Sequence, residues 1–118
     1  MTVFTETAHD GEFILSEANG QRSRQNGEVA SGRSLVAGTV LMNDGGTRLV
    51  AYTGDEITNG LEDEAVGILI ANTDATSGHV AAAYIARDAE VNLNLLTYPA
   101  ANEALMIQSL KALGIITR

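Results

Sequence analysis

The chain has 118 residues, no cysteine, and 15 acidic against seven basic residues, giving a formal net charge of −8. That length suits one ordinary domain core rather than two. The missing cysteines exclude disulfides, thiol catalysis and thiolate metal sites, and the acidity argues against a nucleic-acid groove or an anionic membrane surface.

Aromatic residues are scarce and tryptophan is absent, so Val, Ile, Leu and Ala must fill the core, the first two of which favour strands. Glycine is common and Pro99 is the only proline, a balance that suits tight turns rather than stiff linkers. Six of the seven basic residues are Arg, which makes planar contacts with carboxylates and fits protein–protein pairing. No apolar run approaches the roughly 20 residues needed to cross a bilayer. The opening MTVFTETAHDGEF lacks both the basic region and the apolar stretch of a secretory signal.

In chain order, Met1 to about Gly11 alternates small polar and β-branched residues and is expected to form an extended arm without enough apolar surface to fold alone. Phe13-Ile14-Leu15 is the first piece able to enter a core. Ser16 to Gly32 is polar and glycine-punctuated, and reads as loop with one short strand around Val29. Thr39-Val40-Leu41-Met42, then Asn43-Asp44-Gly45-Gly46, then Arg48-Leu49-Val50-Ala51-Tyr52 predicts a hairpin, because its turn residues accept positive φ. Gly54 to Glu64 is expected to be an acidic exposed loop. Val66-Gly67-Ile68-Leu69-Ile70-Ala71 is a continuous apolar run of strand length, predicted to be buried on both faces. Asn72 to Gly78 turns the chain into a segment running from His79 to Ala86. Val91, Leu93 and Leu95 alternate with Asn92 and Asn94, which predicts a strand with one dry and one wet face.

One helix follows. Asn102 is placed to cap it, Glu103 suits the positive end of its dipole, and Gly114 stops it. Met106, Leu110 and Leu113 share a stripe at helical spacing with Ile107 beside it, while Leu105 falls off that stripe and is expected to touch apolar neighbours on another side. Ile115-Ile116-Thr117-Arg118 resumes an extended form. There is no internal repeat and no sign of a second domain.

Catalytic and metal motifs are weak throughout. His79 lies near Ser77 and Asp74, but no G-x-S-x-G elbow surrounds the serine, and residues so close along one turn rarely reach triad geometry. Glu62-Asp63-Glu64 lacks the ligand spacing of a calcium loop and reads as a solvated charge run. Gly45-Gly46 has no following Lys or helix to make a phosphate cradle. His9 and His79 are too isolated for a metal site. No catalytic residue, metal ligand or cofactor is assigned.

The ordered pieces resemble the phage lambda-type head-decoration proteins over nearly the whole chain. The likeness is carried by Glu12-Phe13-Ile14-Leu15-Ser16-Glu17, then Gly20, Ser23 and Arg24, then Leu35 and Ala37-Gly38-Thr39-Val40-Leu41. It continues through Leu49-Val50-Ala51-Tyr52, Ala65-Val66-Gly67-Ile68-Leu69, Arg87, Ala89-Glu90-Val91 and Leu96 to Pro99, and ends on Leu110-Lys111-Ala112-Leu113-Gly114-Ile115-Ile116. The resemblance implies a mainly-β, β-clip-like single domain over residues 12–118 with one C-terminal helix, preceded by an extended N-terminal arm over residues 1–11. It implies a non-enzymatic virion protein, made in the host cytoplasm, that binds as a homotrimer to the outer surface of an expanded capsid at local three-fold sites. The expected partners are the major capsid protein and the chain itself, with no nucleic acid and no membrane. The capsid-binding arm would comprise Thr2, Val3, Phe4, Thr5, Glu6 and Thr7. Rival readings are a β-rich adaptor or tail-type structural protein with another protein partner, and a small ligand-binding or hydrolytic β-domain.

Overall fold

The computed structural model describes residues 11–18, 20, 22–43, 48–53, 56–57, 61–62, 65–100 and 103–118. The fold is mainly β, with a single α-helix near the C-terminus. Its centre is a closed five-stranded barrel built from β2 (Arg24–Val29), β4 (Val40–Asn43), β5 (Leu49–Ala51), β8 (Gly67–Leu69) and β10 (Val80–Ile85), in the order β10-β2-β5-β4-β8. All neighbours are antiparallel except β2 and β5, which run parallel and meet at Val29 and Leu49.

The barrel divides the apolar residues by strand parity, since successive side chains point to opposite faces. Val29, Leu41, Leu49, Leu69 and Tyr84, one from each strand, pack together with Ala75 and Ala86 to fill the interior. Val40, Ile68 and Ile85 point the other way, into a second cluster with Phe13, Val91, Met106, Leu110 and Ile115. Strand β8 therefore has both faces buried, as its continuous apolar run predicts. The predicted hairpin is present as β4 and β5, with Leu41 opposite Ala51 and Asn43 opposite Leu49. Its connection, 44–47, lies outside the described residues.

A three-stranded sheet of β1 (Ile14–Glu17), β11 (Ala89–Val91) and β12 (Ile115–Thr117) stands beside the barrel in the order β1-β11-β12. The helix α1 (Glu103–Ala112) covers the second cluster with Met106 and Leu110, both fully buried. Gly114 ends the helix as expected, with φ +82° and its N–H donating to Lys111 O at 2.9 Å. The expected Asn102 cap lies outside the described residues. Two short pairs complete the fold: β3 (Ser34–Leu35) with β9 (Thr73–Asp74), and β6 (Glu56–Ile57) with β7 (Leu61–Glu62).

Several expectations are corrected. The polar stretch Ser16–Gly32 contains the six-residue β2, not a loop with one short strand. Its apolar alternation is broken because Gly27 sits where a side chain would collide. A Cβ there would lie 2.8 Å from Leu49 Cδ1 and 3.0 Å from the Tyr84 ring. The acidic segment Gly54–Glu64 carries the hairpin β6–β7 rather than only a loop; the intervening sequence Thr58-Asn59-Gly60 contains the Asn-Gly pair that favours such connections. The segment Asn72–Gly78 is more than a turn, since Thr73 and Asp74 pair with β3. The strand predicted through Val91, Leu93 and Leu95 stops at Val91 and becomes a 3₁₀ turn over Leu93–Leu95. There the Asn92 side chain accepts from Asn94 N–H at 3.1 Å, so a local side-chain bond replaces the ladder. Leu105 does not find apolar neighbours on another side of the helix and is 43% exposed.

Candidate interaction surfaces

The described chain enters the fold at Gly11. Its φ is +66°, its N–H donates to Ile70 O at 2.8 Å, and its carbonyl accepts from Ile14 N–H at 3.0 Å. This turn sets the chain beside the end of β8 and delivers it into β1, which pairs with β11 alone among the described strands. Thr2, Val3, Phe4, Thr5, Glu6 and Thr7 lie outside the described residues.

Buried polar chemistry is structural. Ser23 is fully buried and acts as a latch: its hydroxyl donates to Asp88 O at 2.7 Å and accepts from Ala18 N–H at 2.9 Å. These bonds tie the turn after β1 to the turn between β10 and β11. Arg24 makes a two-pronged contact with Glu17 at 3.1 and 2.9 Å, joining β2 to β1. Arg48 reaches Glu28 at 2.8 Å across β5 and β2. On the outer face of the three-stranded sheet, Glu90 accepts from the Ser16 hydroxyl and from Arg118 Nε, each at 2.7 Å. Both donors hold the Glu90 carboxyl below its ordinary value, the Ser16 bond most strongly. Four of the six arginines thus meet carboxylates within the chain, Arg22 only loosely at 3.9 Å from Asp88. Arg87 instead bonds Arg22 O and the Gln25 side chain. The arginine-rich balance that fitted pairing with a partner mostly links strands of this fold.

The residues of the hydrolase-like trio go separate ways. Asp74 Oδ1 accepts from the Thr76 N–H and hydroxyl at 3.1 and 2.7 Å, which lowers the carboxyl from its ordinary value. His79 Nδ1 accepts from Ser31 N–H at 2.9 Å. Ser77 is exposed. No group of three or more His, Asp or Glu that could hold a metal occurs among the described residues, and no helix among them is long and apolar enough to cross a membrane.

What the surface does offer is apolar. Leu15 on β1, Val36 after β3, Leu95 in the 3₁₀ turn, Leu105 on α1 and Ile116 on β12 are large, exposed and distributed over separate elements. Composition pointed to a core of Val, Ile, Leu and Ala but not to these five, because one apolar side chain reads the same whether a neighbour covers it or not. A shallow groove of about 220 Å³ lies between α1 and β12, lined by Ile107, Lys111, Ile115, Ile116 and Thr117.

A rigid barrel with its polar groups spent on internal latches and its apolar side chains shown outward is the body of a binding protein. The sequence profile of the bacteriophage lambda head decoration protein D family matches residues 3–115, and the chain belongs to that family. The family is one of structural phage proteins rather than enzymes, and it places this chain on the phage head as a capsid decoration component of the virion. A search of curated proteins finds no match.

Proposed function

We propose that the protein binds as a homotrimer to the outer surface of an expanded phage capsid at local three-fold sites, where it clamps the major capsid protein against the pressure of packaged DNA. The observation that carries this reading is the family match across residues 3–115. In this reading residues 1–11 form an arm and residues 12–118 the body.

Physical chemistry supports the division of labour. An extended arm can add a strand to an exposed sheet edge through main-chain hydrogen bonds, with little demand on its side chains. Each such bond contributes about 0.5–1.5 kcal/mol net, while ordering the backbone costs about 1–2 kcal/mol per residue. A single arm therefore binds weakly. Three arms on one rigid body bind as a set, and avidity can add roughly 10²–10⁴ to affinity. The Gly11–Ile70 bond supplies a fixed root from which each arm departs.

The test is binding to purified expanded shells by the intact protein and by a variant lacking residues 2–10. Stopping before Gly11 keeps its bond to Ile70. The deletion should abolish most shell binding, and Thr5→Pro should weaken it in the same direction, since proline removes a donor and resists a paired strand. Full-strength binding by the deleted protein would mean that the body alone holds the capsid.

A further inference from the structure

Strand β12 has one edge open. Ala89 N–H donates to Gly114 O and Arg118 N–H donates to Val91 O, so residues 114, 116 and 118 face β11. Ile115 and Thr117 therefore direct their N–H and C=O groups to the other side, where no described residue takes them. The groove under α1 runs along that side, with Ile107 and Lys111 on its helical wall. Lys111 is the only lysine of the chain and makes no ion pair with any described residue.

The opposite edge of the same sheet is its complement. Strand β1 pairs only with β11, and it shows Leu15, 53% exposed, at a register irregularity between Ile14 and Ser16. The acids Glu12 and Glu17 flank that leucine in sequence. One edge thus carries an apolar knob between carboxylates, and the other an apolar groove beside a cation.

We propose that the β1 edge of one copy docks on the β12 edge of a second copy, with Leu15 entering the groove of Ile107, Ile115 and Ile116 and with Lys111 facing the Glu12–Glu17 side. The inference rests on the trimer reading above and specifies its interface. The contact is head to tail, using different patches on the two copies. Such contacts close into rings when the rotation per step fits, and otherwise run on as open chains. Three steps would join the three sheets into one continuous band. The charge pattern favours this pairing: a chain with net charge −8 repels its own copies unless a cation meets an acid at the contact.

The absence of cysteine makes the test direct. In a Leu15→Cys, Ile116→Cys double variant both replaced side chains are exposed, so folding should survive. Within one chain β1 and β12 flank β11, which separates them by about 10 Å, two strand spacings. That exceeds the roughly 7 Å a disulfide can span, so the two cysteines cannot pair internally. Mild oxidation of the assembled double variant should give a covalent trimer on a denaturing gel, while each single variant should give none. Lys111→Glu should weaken self-association at least tenfold by sedimentation. A double variant that sediments as a trimer but yields no covalent trimer would overturn the edge pairing and leave the trimer reading intact. An unbounded ladder of covalent species would overturn ring closure. Wild-type protein that sediments as a monomer would overturn both readings.

Discussion

Gly67 on β8 shows how closely the barrel is filled. A Cβ there would fall on Ile85 O and within 2.5 Å of Tyr84 Cδ2, so the backbone of β10 would have to move. At Gly27 the nearest obstacle is the end of the Leu49 side chain, which can turn away more cheaply. Overpacking a core typically costs about 1–3 kcal/mol. Gly67→Ala should therefore destabilise by an amount in that range, and Gly27→Ala by less, as read from urea unfolding midpoints. The reverse order would mean that Tyr84 does not fill the barrel. Glu90 offers a second measurement. Its carboxyl is lowered in the folded state by Ser16 and Arg118, so its stabilising effect is present above the ordinary carboxylate range and lost as pH falls through the folded value. Glu90→Gln should flatten the fall of melting temperature on acidification. The effect should be small and salt-sensitive because the group is exposed. Identical slopes for the two proteins would remove Glu90 from the acid response.

The helix is the element whose burial the sequence reads most directly. Met106 and Leu110, four residues apart, are both fully buried, while Ile107 and Leu113 pack partly against the same cluster. Truncating a buried leucine typically costs about 2–5 kcal/mol. Leu110→Ala should lower the melting temperature by many degrees. Leu105→Ala, on the exposed side, should barely change it in a dilute monomeric sample. Strands were less legible where function or packing broke the alternation. Strand β2 hides behind Gln25, Asn26 and Gly27, because its inward positions face the Tyr84 ring and the Leu49 side chain and do not need bulk of their own. The run through Leu93 and Leu95 misleads in the opposite sense: its period of two is genuine, yet Asn92 bonds its own backbone neighbour and ends the strand.

At the scale of the whole molecule, assembly is the quantity to measure. Sedimentation equilibrium at micromolar concentration should return three times the 12.4 kDa chain mass. Removing residues 2–10 should leave that mass and the melting temperature nearly unchanged, because the described core is complete from Phe13 onward. A deleted protein that falls to monomer would move the arm from capsid contact to self-contact.

The sequence by itself determined the β-rich class, the β4–β5 hairpin, the doubly buried β8, the helix with its glycine stop, and the family. These signals are local or depend on the order of pieces along the chain, so they survive without knowledge of the fold. Tertiary structure alone decided that Val29, Leu41, Leu49, Leu69 and Tyr84 close around one interior while Val40, Ile68 and Ile85 serve another. It also decided that most arginines are spent within the chain, and that β1 and β12 are left as the two open edges of one sheet. Strand closure joins residues far apart in sequence, and whether a side chain or a backbone edge is covered depends on neighbours that no local pattern names.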